Sequence, residues 1–149
     1  MAISAEVGGI EVQKIRPSAV IPTRANLTDA GFDLYASMDS GATILNPKEV
    51  KLIPTGIAMA LPRNHAGLIW DRSSMGVKGI HRFAGVVDSG YRGEIKVCLY
   101  NSNDRPYLVN SGDRIAQILI QKVDNFYLRE VESLNETDRG GGGFGSSGK

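Results

Sequence analysis

The sequence predicts an all-β protein built from antiparallel strands, as in a sandwich, a jelly roll or a small β-barrel. Short runs of apolar and β-branched residues recur along the chain, and turn residues separate them at intervals of roughly 8–12 residues. No long segment shows the apolar periodicity of an amphipathic helix. The chain has 149 residues, which is enough for one domain with its own hydrophobic core.

The elements follow from where apolar runs stop at proline, glycine or asparagine. In the first run, Ile10 and Val12 alternate with polar residues, as in a half-buried strand. Residues 73–77 fit a single helical turn, and residues 82–87 and 94–100 read as the two arms of a β-hairpin. The predicted strands are residues 9–15, 32–36, 42–45, 49–53, 57–61, 66–70, 82–87, 94–100, 107–109 and 114–123.

The end of the chain has a different composition. Residues 135–149 are dominated by glycine, and Phe144 is the one large apolar residue among them. Such a segment buries too little apolar surface to order itself, so we expect a β domain over residues 1–134 and a flexible tail over residues 135–149.

Charge and cysteine content exclude several classes of protein. The formal net charge is +1, which does not indicate a nucleic-acid-binding or membrane-surface protein. No apolar run approaches the roughly 18 residues of a membrane span, and the first residues do not resemble a secretion signal. Cys98 is the single cysteine, so an internal disulfide is impossible. We therefore expect a soluble intracellular protein.

Five polar segments are candidates for chemistry. The tip of the predicted hairpin carries Asp88 and Tyr91, although Asp, Ser and Gly also make ordinary solvated turns. Residues 71–76 and 112–117 could gather donors around phosphate, or could simply be turns at strand ends. Asp33, between apolar residues, could be a buried paired carboxylate or could lie near a metal. The tail has the spacing of a P-loop but neither a preceding strand nor a following helix, so a tail folding over an anionic ligand fits better.

Five segments, in order, resemble the five motifs of the homotrimeric deoxyuridine triphosphatase (dUTPase) family. They are residues 30–36 (AGFDLYA), 72–76 (RSSMG), 85–94 (GVVDSGYRGE), 112–117 (GDRIAQ) and 139–148 (RGGGGFGSSG). The resemblance implies an antiparallel jelly-roll subunit in a homotrimer, with three active sites shared between subunits. It also implies hydrolysis of dUTP to dUMP and pyrophosphate, assisted by Mg²⁺, which keeps uracil out of DNA and supplies dUMP.

The resemblance also implies roles for individual residues. Asp88 matches the general base that activates water at the α-phosphorus, and Tyr91 matches the residue that packs under the deoxyribose. Asp33 matches an acid that contacts the metal through water. The residues matching phosphate contacts are Arg72, Ser73, Ser74, Gly76, Gln117, Arg139, Ser146 and Ser147. Those expected around the nucleoside are Gly85, Val87, Asp88, Tyr91, Glu94, Ile95, Lys96, Phe144 and Gly145, with Phe144 stacking on uracil.

The sequence departs from the family pattern at a few positions. Asp71 stands where proline is usual, and pairing with Arg72 is one expectation for it. The second motif is one residue short, Gly90 replaces a common acid, and Ser147 replaces a common threonine. Two other functions remain as alternatives. A related dCTP deaminase should lack the tail residues Arg139 and Phe144, and a nucleotide-dependent regulatory protein of the same fold would not need catalysis. A lectin or capsid jelly roll would explain the strands alone.

Overall fold

The structure, a computed structural model, describes residues 8–145 of the chain. Short strands dominate it, and one helical turn, α1 (Ser73–Val77), interrupts them. The strands are β1 (Glu11–Lys14), β2 (Gly31–Tyr35), β3 (Ala42–Leu45), β4 (Val50–Pro54), β5 (Ile57–Ala60), β6 (His65–Trp70), β7 (Ile80–Phe83), β8 (Val86–Asp88), β9 (Lys96–Asn101), β10 (Tyr107–Asn110) and β11 (Arg114–Lys122). The predicted all-β fold is confirmed, and so is the helical turn at residues 73–77.

All strand pairs are antiparallel. The largest sheet has the order β2-β11-β6-β8, and a second sheet has the order β4-β9-β7. Two-stranded sheets, β1-β5 and β3-β10, complete the arrangement. Strands that are distant in sequence therefore lie side by side. The central strand β11 joins β2, which carries Asp33, to β6, which leads into the segment containing Arg72.

The core follows from the two-residue alternation of the strands. In β9, Val97, Leu99 and Asn101 are buried while the residues between them point outward. Buried Asn101 donates hydrogen bonds to the carbonyl oxygens of Leu45 (3.0 Å) and Arg105 (2.7 Å). Its side-chain oxygen accepts a bond from the Asn103 N–H at 3.0 Å, so its burial leaves no polar atom without a partner.

The predicted β-hairpin between residues 82–87 and 94–100 is confirmed only at its base, where Arg82 and Phe83 pair with Leu99 and Cys98, and its pairing is wrong beyond that point. The first arm divides into β7 and β8, which belong to different sheets, and β8 pairs with β6 rather than with β9. The break lies at Ala84 and Gly85, which both have positive φ angles (59° and 118°). A β-carbon at Gly85 would lie 2.9 Å from Ile69 Cβ, so only glycine lets the chain approach β6 so closely. The segment consequently crosses from one sheet to the other.

The described chain after β11 contains neither a helix nor a strand. Most residues from 124 to 145 are exposed, including Phe126, Tyr127 and Leu128. Among the helices of residues 8–145, none is long and apolar enough to cross a membrane.

Candidate active site

Residues 85–96, which run from the residue before β8 to the first residue of β9, form most of one cavity. The cavity has a volume of about 420 Å³, and Leu52 of β4 and Ile69 of β6 close its sides. Seven residues that the sequence assigned to the nucleoside or to catalysis line this cavity together: Gly85, Val87, Asp88, Tyr91, Glu94, Ile95 and Lys96. Residues from both sheets thus line one cavity together with these seven predicted residues, even though β8 and β9 do not pair with each other.

Asp88 ends β8, where it lies opposite Ala66 of β6. Its side chain is exposed, and within residues 8–145 no group donates a hydrogen bond to its carboxylate. Its carbonyl accepts a 3.0 Å bond from the Tyr91 N–H, which closes a tight turn. Backbone pairing therefore fixes the position of Asp88, while both carboxylate oxygens stay available to a water molecule or a ligand.

Tyr91 folds back over its own turn. Its hydroxyl donates a 2.9 Å hydrogen bond to the carbonyl oxygen of Glu94, and the ring packs against Gly93. The side chain remains 46% exposed and lines the cavity. The ring is thus held as one wall of the cavity with a face open to a ligand.

The side chain of Glu94 is held by two segments that are distant in the sequence. Its carboxylate accepts hydrogen bonds from Arg16 and a 2.9 Å bond from the Gly56 N–H. Burial opposes ionisation, but the bonds from Arg16 and Gly56, together with the charge of Arg16, outweigh it and lower the pKa of the Glu94 carboxyl. The same hydrogen bond raises the pKa of the Arg16 guanidinium. Glu94 therefore anchors the cavity wall to the turn between β4 and β5.

A second, more polar cavity of about 360 Å³ lies where β2, β11 and the start of α1 meet. The predicted residues Asp33, Arg72, Ser73 and Gln117 line it. Asp33 Oδ1 accepts a 2.8 Å bond from Arg72 Nε, and Asp33 Oδ2 accepts a 3.3 Å bond from Arg114 Nη1. One carboxylate thus holds two guanidinium groups at the mouth of the cavity.

Gln117 is fixed by the register of β11. It lies opposite Asp33 on one side and Trp70 on the other. Its amide nitrogen donates a 2.9 Å bond to the Asp71 carbonyl, and a β-carbon on Gly31 would come within 2.5 Å of its amide oxygen. The glycine therefore makes room for Gln117.

The expected pairing of Asp71 with Arg72 is wrong. Asp71 Oδ1 accepts a 2.7 Å bond from the Arg82 N–H, and Asp71 Oδ2 lies 3.3 Å from His81 Nδ1. Arg72 instead holds Asp33 and donates a 3.2 Å bond from Nη1 to Ser74 Oγ. Asp71 thus connects the segment before α1 to β7, because its carboxylate accepts a charge-assisted hydrogen bond from a backbone N–H of that strand.

The remaining predicted residues lie apart from both cavities. Gly76 lies on α1 and has open space around it. Arg139 donates a 2.9 Å bond from Nε to the Gly142 carbonyl, within the tail, and the Phe144 side chain is fully exposed. Arg139, Phe144 and Gly145 line neither cavity. Ser146 and Ser147 fall outside the described residues.

The two cavities share no lining residue. A single chain therefore holds seven of the predicted nucleoside residues in one place and three of the predicted phosphate residues, Arg72, Ser73 and Gln117, in another. Part of the first cavity belongs to an exposed apolar surface on the outer side of the β4-β9-β7 sheet. This surface, which we call the outer face, consists of Val50, Leu52, Phe83, Cys98 and Tyr100. The rings of Phe83 and Tyr100 stack there with centroids 5.0 Å apart.

A directly coordinated metal has few candidate ligands. Within residues 8–145 there is no group of three or more His, Cys, Asp or Glu side chains that could hold an ion. Both oxygens of Asp33 already accept bonds from arginines. This donor set fits an ion such as Mg²⁺ only if it is held mainly by water and ligand phosphates, which is its usual preference.

Sequence reasoning missed Arg16 and Arg114. Arg16 lies in the connection between β1 and β2, where the sequence shows no motif. Its partner Glu94 is 78 residues away. Arg114 belongs to the segment 112–117, but its contact with Asp33 spans 81 residues. No local pattern could identify either pair. The outer face was visible only as alternating residues in predicted strands, since its exposure depends on how the sheets pack.

The chain is similar to known proteins over nearly its whole length. The family model described as dUTPase matches residues 18–148. A deoxyuridine 5'-triphosphate nucleotidohydrolase from Nocardia farcinica is 48% identical over 143 residues, covering 93% of this chain and 85% of that protein. A Staphylococcus bacteriophage 80alpha dUTPase mutant, solved with dUpNHpp, is 26% identical with a TM-score of 0.87, covering 95% of this chain and 99% of that chain.

A dUTPase mutant from phage phi11 of S. aureus, solved with details of a structural Mg(II) ion, is 25% identical with a TM-score of 0.77. It covers 85% of this chain and 98% of that chain. The match to the family model and the similarity to the Nocardia enzyme agree with the five motifs. This chain belongs to the dUTPase family.

Proposed function

We propose that this protein hydrolyses dUTP to dUMP and pyrophosphate, with water attacking the α-phosphorus. The observation that carries the proposal is the convergence of seven predicted residues on one cavity, with Asp88 at its edge. Family membership supports the same reaction. This reaction consumes dUTP, which is a source of uracil in DNA, and it supplies dUMP.

Asp88 is the proposed general base. Its carboxylate is exposed and accepts no hydrogen bond from residues 8–145, so a water molecule can bind there and lose a proton as it attacks. The Tyr91 ring forms the wall against the deoxyribose, where a 2′-hydroxyl would not fit. Backbone groups of the residues that line this cavity would read the uracil, because fixed donors and acceptors reject a base that leaves them unpaired.

The second cavity is the proposed phosphate site. Arg72 supplies a guanidinium fixed by Asp33, and Ser73 and Gln117 supply neutral donors on the cavity lining. Ser74, whose hydroxyl accepts a bond from Arg72 Nη1, lies outside the lining and is the next donor along the chain. Asp33 is suited to contact an ion through water rather than directly. Mg²⁺ bound to the phosphates would offset the charge of the leaving pyrophosphate. The side chains of this site would hold the phosphates in one orientation.

We also propose a homotrimer with shared active sites, the assembly that the family resemblance implies. The separation of the two cavities supports it, because a complete site needs nucleoside residues from one chain and phosphate residues from another. The outer face supports it as well, since Leu52 belongs both to this face and to the first cavity. Phe126, Tyr127 and Leu128 are 83–99% exposed, and burial against another subunit would stabilise them.

The tail is the proposed lid. Arg139, Ser146 and Ser147 would contact the γ-phosphate, and Phe144 would stack on uracil with Gly145 beside it. The complete exposure of Phe144 in the free chain leaves its ring available for this contact. Ordering of the tail over bound dUTP would exclude bulk water from the reaction.

The experiment that tests the function is pyrophosphate release in the presence of Mg²⁺, compared for dUTP, UTP, dCTP and dTTP. We expect much faster release from dUTP than from the other three nucleotides. Equal rates on all four would contradict the assigned specificity, and the absence of release from dUTP would contradict the reaction. Omission of Mg²⁺ tests the metal separately.

A further inference from the structure

The Tyr91 ring has an unusually constrained environment for a half-exposed side chain. A β-carbon built on Gly93 would lie 2.5 Å from Tyr91 Oη, 2.7 Å from Cζ and 3.0 Å from Cε2. Real side chains do not approach so closely, so the observed ring position requires glycine at residue 93. The φ angle of Gly93 is one that other residues also adopt, and space alone sets this requirement.

A second contact fixes the other end of the ring. The Tyr91 hydroxyl donates its 2.9 Å bond to the backbone oxygen of Glu94. That backbone is held in turn, because the Glu94 carboxylate accepts bonds from Arg16 and from the Gly56 N–H. The Glu94 side chain is 14% exposed and that of Arg16 is 24% exposed, so water screens the pair only partly. A chain of contacts thus runs from Arg16 through Glu94 to Tyr91.

We propose that Gly93 and the Arg16–Glu94 pair are positioning residues that set the discrimination between deoxyribose and ribose. The inference rests on the proposed function, in which the Tyr91 ring is the wall under the sugar. Gly93 provides the space into which the ring folds. The Arg16–Glu94 pair holds the carbonyl that receives the hydroxyl. A wall excludes one additional oxygen atom only if it cannot move by a fraction of an ångström, which is the reason for fixing both ends.

Gly93→Ala is the direct test. The atoms that a new methyl group would meet belong to the far end of the Tyr91 side chain, so a rotation of the ring relieves the clash while the fold is kept. We expect the ratio of kcat/KM for dUTP over UTP to fall at least roughly tenfold, which corresponds to about 1.4 kcal/mol. The KM for dUTP should rise, and the melting temperature should change little.

Gly90→Ala is the matched control. Gly90 lies in the same turn, and a β-carbon there would have no atom within 4 Å. Its φ angle is likewise not in the left-handed region. We expect the wild-type dUTP/UTP ratio in this variant. A wild-type ratio in Gly93→Ala, or an equal fall in Gly90→Ala, would overturn the proposal.

Arg16→Lys tests the remote contact. Lysine keeps the positive charge but cannot offer two parallel donors to the Glu94 carboxylate. We expect a lower dUTP/UTP ratio, measured well below the melting temperature, in addition to any loss of stability. A purely structural role would lower the melting temperature and leave the ratio unchanged, which would overturn the part assigned to Arg16.

Failure of the proposed function would look different. If the wild-type protein hydrolysed dUTP and UTP equally, or if Tyr91→Ala kept the wild-type ratio, the wall itself would be misassigned. If Tyr91→Ala lowers the ratio and Gly93→Ala does not, the wall stands and the positioning role is wrong.

Discussion

Arg72 Nε donates a 2.8 Å hydrogen bond to Asp33 Oδ1, and these residues are 39 positions apart in the chain. The other oxygen of Asp33 accepts a bond from Arg114 at 3.3 Å. Two positive groups and one negative group thus meet at the mouth of the polar cavity, with an excess of positive charge that suits a polyphosphate.

Asp33→Ala should lower kcat/KM for dUTP roughly ten- to a hundredfold, since losing a charged hydrogen bond costs about 1.5–3 kcal/mol in positioning Arg72. Steady-state pyrophosphate release measures this change. Asp29→Asn is the control, because Asp29 lines the same cavity but its carboxylate is bonded to Asn26. A similar loss in both variants would mean that the charge of the cavity matters, and not the contact with Arg72.

Much of this site could be predicted from the sequence because its residues lie in short contiguous segments. The stretch 85–94 carries both Asp88 and Tyr91. Asp33 and Gln117 each lie within a short predicted strand, so their positions in the sheet could be predicted. The pairing of β8 with β6 could not be predicted, because Ala84 and Gly85 interrupt an apolar run that reads as one strand. The contacts Arg16–Glu94 and Asp71–His81 depend on the packing of distant strands, which no local pattern records.

Asp88→Asn should lower kcat by roughly 10²–10⁴-fold while nucleotide binding persists, because the amide cannot accept a proton from water. The side chain is exposed and accepts no bond from residues 8–145, so the melting temperature should stay near the wild-type value. Turnover measured by pyrophosphate release, with dUTP affinity measured by calorimetry, separates the two effects. Near-normal turnover would remove Asp88 from the role of base.

Glu94→Gln should destabilise the protein at neutral pH by about 1–3 kcal/mol, the usual cost of removing a partner from a hydrogen-bonded charge. The folded-state pKa of Glu94 is lowered below its ordinary value of 4.5. The carboxylate therefore contributes stability above that pH, and the contribution is lost as the pH falls through the folded value.

The stability difference between the wild type and Glu94→Gln should accordingly be largest near pH 7 and should shrink below about pH 4.5. Urea denaturation at fixed protein concentration measures it at each pH. Glu130→Gln, in the exposed segment after β11, is the control and should show no such trend. A constant difference from pH 7 to pH 3 would contradict the assignment.

Leu52→Lys should weaken the assembly. Leu52 is 60% exposed in the single chain, so a charge there costs the isolated subunit little, but it would have to be buried in an interface that covers the outer face. Light scattering or sedimentation should show a shift toward smaller species, together with a loss of activity. Leu27→Lys is the control, because Leu27 is 89% exposed and is not one of the residues of the outer face. An unchanged oligomer in Leu52→Lys would place the interface elsewhere.

Removal of residues 139–149 should leave the assembly intact and reduce dUTP hydrolysis strongly. The described part of the tail, residues 139–145, forms local turns and lines neither cavity, so the fold does not depend on it. Catalysis should depend on it because Arg139 and Phe144 are the proposed contacts to the γ-phosphate and to uracil. Phe144→Ala isolates the second contact and should raise KM more than it lowers kcat, since stacking contributes about 1–3 kcal/mol per base. If the truncated protein dissociated into single chains, the tail would be a strap between subunits, and a lid role would be wrong.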